Sequence, residues 1–319
     1  MLTVYPPHPA AEAAPHPSAV WLDLVDATEA EVSLVEGFTG LRLPSRADLS
    51  EIEQSSRLAF DDGVLRLSAP IVAHSDTDSP ELSPIGFVLT ERLLITLRYD
   101  PLKSFDAVKT KAGARAVPAT SAAIFVALLE ACIERQADQL ETASAKLDAI
   151  SHHVFRNSST DPKRAAKSST ALRDKLQALG RIGERTSMIR ESLLASERMI
   201  PYALENGKAW FAPDLVTRLH GVRDDIGSLS LFEEHLLSKV QFLLDAILGF
   251  INIEQNYIFK VLTIASVVGI FPTLVAGWYG MNFQNMPEYH WAWGYQFGIG
   301  VTIISILLPL AWFKWRRWI

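Results

Sequence analysis

The 319 residues, 49% hydrophobic and 21% charged with a formal net charge of −6, are enough for about two domains and a core that needs no staples. The single cysteine, Cys132, excludes an intramolecular disulfide framework, and its apolar helical surroundings give it the character of a small buried hydrophobe. An acidic body argues against nucleic acid as a partner.

Residues 1–18 are Pro- and Ala-rich without a basic start or an apolar core, so they read as a flexible tail and not as a signal peptide. Residues 19–118 read as an α/β domain with a small sheet. Val20-Trp21-Leu22-Asp23-Leu24 alternates as a strand does. Thr28 ahead of Glu29-Ala30-Glu31 is an N-cap with acids in the first turn of a helix to about Phe38. Pro44-Ser45 opens a helix expected to reach Arg57. Asp61-Asp62-Gly63 is a turn before a strand at Val64–Ala73, and Ile85–Thr90 and Leu93–Tyr99 form two further strands. Asp76, Asp78 and Glu81 cluster in the polar loop Ser75–Ser83, either as a cation site or as a solvated acidic loop.

Residues 119–200 read as a helical hairpin. Ala122–Phe155 has apolar positions at three-four spacing, and Lys163–Leu194 carries Arg164, Lys167, Arg173, Lys175, Arg181, Arg185 and Arg190. That basic run suits anionic lipid headgroups, an acidic neighbour or a solvated face. Pro201 to Pro213 is expected to make the next turn.

From Asp214 to Tyr279 good helical text continues, with Pro272 the one proline, and predicts a single helix roughly 100 Å long. Its stalk, 212–260, leads into a first span at 261–279. The loop 280–292 lacks Lys and Arg, a second span follows at 293–313, and 314–319 is a basic tail. Each apolar run approaches the ~20 residues that cross a hydrocarbon core. Lys260, Lys314, Arg316 and Arg317 border the spans, so the positive-inside rule puts both termini in the cytoplasm. Trp278, Tyr279, Trp291, Trp293 and Tyr295 mark one interface, and Trp312, Trp315 and Trp318 the other. A rod of this length needs neighbouring rods, which predicts an oligomer.

One face of the long helix, read from Asp245 through Gly249, Asn252, Asn256, Phe259, Thr263, Ser266 and Ile270 to Thr273, is more polar than its surroundings, with Leu262 close beside it. Hydroxyls inside an apolar span fit a water-lined pore, back-bonding to the helix, or helix–helix contacts. Phe259, Leu262 and Ile270 are either apolar constrictions or packing residues.

Tyr279-Gly280-Met281-Asn282 at the outer end of the first span, Met286-Pro287-Glu288 in the loop and the closing Lys314-Trp315-Arg316-Arg317-Trp318-Ile319 resemble the CorA family of divalent-cation channels. Trp21-Leu22-Asp23-Leu24 and the stretch from Glu51 to Leu58 are similar to that family's soluble domain. The resemblance implies an α/β cytosolic domain whose long helices continue into a two-helix transmembrane hairpin. It implies a funnel-shaped homopentamer in a bacterial inner membrane, with the outer mouth of its pore at Gly280, Met281 and Asn282. Asp245, Asn256, Phe259, Leu262, Ser266, Ile270 and Thr273 would then line the pore, and Glu288 would attract cations.

A ring of neutral Asn282 carbonyls suits Mg2+, which dehydrates reluctantly and is best contacted through its waters. Co2+ or Ni2+ would pass in the same hydrated form. The resemblance also implies a cytosolic ion sensor built from acidic pairs, for which Asp224 and Asp225, Glu233 and Glu234, or Asp61, Asp62 and Asp76 are candidates. His152 and His153 sit together near a helix end, His220, His235 and His290 are scattered, and none forms a paired site in the spans, which favours a hard ion over Zn2+. No nucleotide or catalytic motif appears, so neither an enzyme nor a cofactor is expected. Two alternatives stand beside the channel: a zinc or proton-coupled transporter of the same architecture, and a membrane-anchored cytosolic sensor or scaffold.

Overall fold

A computed structural model describes residues 1–7, 14–51, 53, 57–77, 79–114, 117–156, 162–282, 286–316 and 318. They fall into two compact units, Met1–Arg156 with Lys175–Leu244, and Asn157–Asp174 with Asp245–Ile319.

The first unit is built on a six-stranded sheet ordered β1-β2-β6-β5-β4-β3. The strands are β1 (Leu2–Tyr5), β2 (Trp21–Val25), β3 (Leu58–Asp61), β4 (Val64–Ala73), β5 (Glu81–Leu89) and β6 (Leu94–Arg98). All neighbours are antiparallel except β2 and β6, which run parallel. The β3–β4 hairpin closes through Asp62 (φ 51°) and Gly63 (φ 74°), and positive φ at both central residues is what a two-residue turn requires. Pro70 pairs with Pro84 beyond the ends of β3 and β6, where a missing N–H costs no bond to an outer strand.

Helices cover both faces. Helix α1 (Glu29–Thr39) starts at a Thr28–Glu31 capping box and ends on Gly40 in the left-handed region. Helix α2 (Arg46–Ser50) follows a Ser45–Asp48 box and stops where Glu51 turns extended. The expected continuation to Arg57 falls partly outside the described residues. Val35 of α1 and Leu49 of α2 pack on Leu22, Leu24, Val88 and Ile95. On the opposite face, Phe105 of α3 (Lys103–Gly113) and Phe125 of α4 (Ser121–Arg156) close on Trp21 and Phe87. There Asp23 accepts from Thr96 Oγ1 (2.7 Å), Arg98 Nε (3.2 Å) and Nη2 (2.8 Å), and pairs with Lys109 Nζ (2.8 Å).

Three expectations are corrected. The tail 1–18 is not loose throughout, because Leu2 and Val4 are buried and β1 pairs with β2. Pro201 does not end its helix: α5 (Pro162–Asn206) runs on, with Met199, Ile200 and Ala203 buried on either side of the proline. That packing outweighs the one backbone bond a proline removes. β3 and α3 were not expected at all.

Helix α6 (Pro213–Tyr279) is continuous over 67 residues and belongs to both units. In the first unit it lies beside α4 and α5. Arg218 holds Glu130 by two bonds (2.8 and 2.6 Å), and Lys239 Nζ reaches Asp148 at 2.7 Å. Leu219, Val222, Ile226, Leu236, Val240 and Leu243 form its buried seam at three-four spacing. Cys132 is buried on α4, as its setting suggested, and burial pushes its thiol up to about 11.

The second unit contains the outer part of α6, a 3-10 turn at Pro287–His290, and α7 (Gly294–Trp315). Both helices are long and apolar enough to cross a membrane. At the C-terminal end of α7 the buried Phe313 stacks on Trp318, whose ring lies 5.9 Å from Lys260 Nζ.

Candidate pore helix and outer loop

Asp245 lies two residues from Leu243 and two from the buried Ile247, so it points away from the seam of α6. At 3.6 residues per turn, Asp245, Asn256, Phe259, Leu262, Ser266, Ile270 and Thr273 share an arc about 120° wide. All seven are exposed, and no residue of the most apolar 18-residue window of α6 is buried within the chain. Ser266, Ile270 and Thr273 line one shallow groove together with Gly269, Gly277 and Met281. The expected pore residues of the outer span therefore meet part of the loop motif on one surface. The two glycines form the groove by absence: a Cβ added at either meets nothing within 4 Å. Sequence reasoning passed over them, although their eight-residue spacing puts them on one side of a helix.

The hydroxyls are less telling than they looked. Thr263 Oγ1 donates to the Phe259 carbonyl (2.7 Å) and Thr273 Oγ1 to that of Gly269 (2.8 Å), so their protons are already placed. Their oxygens remain free to accept a further bond.

Helix α6 ends in a tight turn. Gly280 N donates to Ala276 O (2.9 Å) and Met281 N to Trp278 O (3.3 Å). Gly280 suits this turn for a steric reason, since a Cβ there would stand 2.9 Å from the Ala276 carbonyl. Met281 and Asn282 follow, both exposed. Glu288 is half-buried in the 3-10 turn. Trp291 N donates to its carbonyl at 3.3 Å, and a Cβ at Gly294 would collide with that same carbonyl at 2.2 Å. Loop and second span are thereby tied at one point.

The sensor candidates separate. Asp224 and Asp225 are exposed on α6, and Asp61 and Asp62 are exposed at the β3–β4 turn. Glu233 occupies the buried seam, 2% exposed, with Arg190 Nη1 at 3.8 Å and no partner for its Oε1. Burial pushes its carboxyl up while Arg190 pulls it back. Asp76 is not an open ligand either: it pairs with Lys103 and Arg135 (both 2.5 Å), whose hydrogen bonds and charge hold its carboxyl below the usual range. These two partners come from α3 and α4, far away in sequence. Asp78 lies outside the described residues. Among the described residues no three His, Cys, Asp or Glu side chains are grouped to hold a metal.

A family model described as CorA-like Mg2+ transporter protein matches residues 17–316. The magnesium transport protein CorA of Yersinia pseudotuberculosis is 33% identical over 303 residues, covering 95% of this chain and 92% of that one. That of Escherichia coli is 32% identical over 309 residues, covering 97% and 94%. Among solved structures, the complete CorA magnesium transporter from Methanocaldococcus jannaschii superposes with a TM-score of 0.72 at 16% identity, over 94% of this chain and 91% of that one. These matches run through the soluble body and both apolar helices alike, and the chain belongs to the CorA-like family of magnesium transporters, membrane proteins that move an ion and are not enzymes.

Proposed function

We propose that this chain forms a homopentameric channel in which the outer part of α6 lines a pore for hydrated Mg2+, with Gly280, Met281 and Asn282 as its outer filter. The observation that carries this reading is the continuity of α6: one helix leads from a buried cytosolic seam to an exposed Asn282, with a polar arc opposite the seam. In a ring of copies, the Asn282 carbonyls would accept hydrogen bonds from the water shell of the ion, avoiding the dehydration that Mg2+ resists. Glu288 would raise the local cation concentration, and Phe259, Leu262 and Ile270 would form apolar constrictions that gate by dewetting. Both termini lie in the cytoplasm of the inner membrane, since Lys260, Lys314 and Arg316 border the spans on that side. Passive entry draws on the negative-inside potential, about 2.3 kcal/mol per charge per 100 mV. Co2+ and Ni2+ pass on the same hydrated terms. Asp224 and Asp225, exposed on α6, pair with acids of a neighbouring copy as the cytosolic Mg2+ sensor.

The test is Mg2+ uptake into liposomes holding the purified protein, wild type beside Asn282→Ala. Uptake lost in an intact oligomer supports a filter at Asn282, and equal uptake in both places the filter elsewhere. An imposed pH gradient that alters the wild-type rate would replace the passive channel with a proton-coupled carrier.

A further inference from the structure

In the first unit the end of β4, residues 74–77, the start of α3 and the middle of α4 enclose a cavity of about 320 Å³. That is far more than the ~15 Å³ one water needs, and it reaches the size at which ligand sites begin, about 300 Å³. Gln136 and Gln139 of α4 border it at 1% and 7% exposure, one helical turn apart and so on one side of the helix. Gln136 Nε2 donates to Ser192 Oγ at 2.7 Å, yet the Oε1 of each glutamine is buried with no hydrogen-bond partner among the described residues. An unpaired buried carbonyl costs stability that an apolar side chain of the same shape would not. The cavity therefore offers two acceptors that nothing in the fold uses. Ile71, Val72, Pro101 and Leu102 supply its apolar wall. At its opening the exposed Asp76 pairs with Lys103 and Arg135. Helix α3 starts beside the same cavity without a side-chain cap, so its first backbone N–H groups lack a capping oxygen.

We infer that this cavity is a binding site for a small neutral primary carboxamide. The two N–H donors of such a group serve Gln136 Oε1 and Gln139 Oε1, its carbonyl accepts from the uncapped start of α3, and its apolar body lies against Ile71, Val72 and Leu102. A charged amine also has protons to give, but it would be buried on neutral oxygens beside the cations Lys103 and Arg135. A carboxylate or phosphate brings the two oxygens no proton at all. Paired donors and neutrality are thus both set by the wall. Gln136 holds Ser192 of α5, and Arg185 of α5 donates to the Thr77 carbonyl at 2.8 Å, so an occupant sits where the sheet, α4 and α5 meet. The site belongs to the soluble body and does not rest on the pore assigned to α6.

The test is isothermal titration of the full-length protein in detergent with nicotinamide, methyl nicotinate and picolylamine, which share one ring and differ in donors and charge. Nicotinamide is expected to bind at least about tenfold more tightly than the ester, which has no N–H, and than the amine, which is cationic at neutral pH. Gln139→Met should weaken nicotinamide at least about tenfold while melting at or above the wild-type temperature, because it removes an unpaired acceptor at nearly constant volume. Ester bound as tightly as amide would reduce the cavity to an apolar void. Tighter binding of the amine would make it a cation site, and no binding by any probe would leave its oxygens to water. Each of these results overturns the inference. So does nicotinamide bound equally by wild type and Gln139→Met, which would place it elsewhere on the protein or in the detergent. If the variant melts early, the wild-type comparison of amide with ester still decides, and neither readout depends on the Asn282 uptake result.

Discussion

The clearest energetic commitment in the soluble body is the buried Asp23–Arg98 pair. Asp23 is 1% exposed and Arg98 3%, so replacing Asp23 with Asn strands a guanidinium among Phe105, Thr96 and Trp21. Breaking a buried pair in this way typically costs about 3–5 kcal/mol. The lower end applies here, because Arg98 keeps its bond to the Asp100 carbonyl (3.1 Å) and its place over the Phe105 ring. At about 2–4 °C per kcal/mol for a unit of this size, a loss of about 3 kcal/mol lowers the melting point by about 6–12 °C. Thermal unfolding of the full-length protein in detergent reads this directly. The paired variant Asp23→Leu with Arg98→Met should lose less than the two single variants together, since the one charge it leaves unpaired, Lys109, is partly exposed to solvent. A pH series adds a sign. Burial alone would raise the Asp23 carboxyl, but the hydrogen bonds and charges of Arg98 and Lys109 outweigh it and set it below its ordinary 3.8. Its contribution is therefore complete above that value and lost as pH falls through the folded one, so the gap between wild type and Asp23→Asn should close only below about pH 4. A shift under about 2 °C, or a double variant as damaged as the sum, would refute the reasoning.

Other changes test other parts of the chain. A Cβ at Gly86 would stand 2.7 Å from Leu49 Cδ2, so Gly86→Ala should cost about 1–3 kcal/mol in thermal unfolding, and adding Leu49→Ala should recover part of it. Glu31 is held at about 2 by bonds from the Thr28 backbone, the amino terminus and Leu2, against an ordinary 4.5. Acid titration of Glu31→Gln should therefore show it losing an increment that wild type keeps above about pH 4.5 and gives up toward pH 2. A Cβ at Gly277 meets no atom within 4 Å, so Gly277→Leu should leave the circular dichroism unchanged while Mg2+ uptake is lost. Normal uptake would mean that its groove faces lipid.

The legible parts of the fold were those whose signal is local. The Thr28 cap, the Asp62-Gly63 turn and the strand Val64–Ala73 each state their geometry in adjacent residues, and all appear as expected. β1 was hidden because its Leu-Thr-Val-Tyr alternation is followed by prolines, and its partner β2 lies some twenty residues on. α3 follows Leu102, an N-cap without a side-chain bond, so nothing announced it. Glu233 was misread by its charge, although it falls into step with the seam residues Ile226, Leu236 and Val240. At the site, Gly280-Met281-Asn282 was legible as a motif. The ion pairs closing on Asp76 were not, because Lys103 and Arg135 reach it only through the tertiary fold.

An uncovered apolar span by itself says nothing about assembly, since lipid covers it as well as protein would. The argument for neighbouring copies lies in the stretch of α6 before Lys260, where Leu231, Phe242, Leu248 and Ile253 stand exposed outside the apolar span. Leu248 falls on the arc that carries Asp245 and Ile270, so a ring built around that arc brings the Leu248 positions of adjacent copies together. Leu248→Cys tests this with little background, because Cys132 is the one native cysteine, is buried, and has its thiol raised to about 11. A thiol cross-linker applied in membranes should give a ladder that ends at five subunits. Fully labelled protein that stays monomeric would remove the ring, and with it the pore assigned to α6.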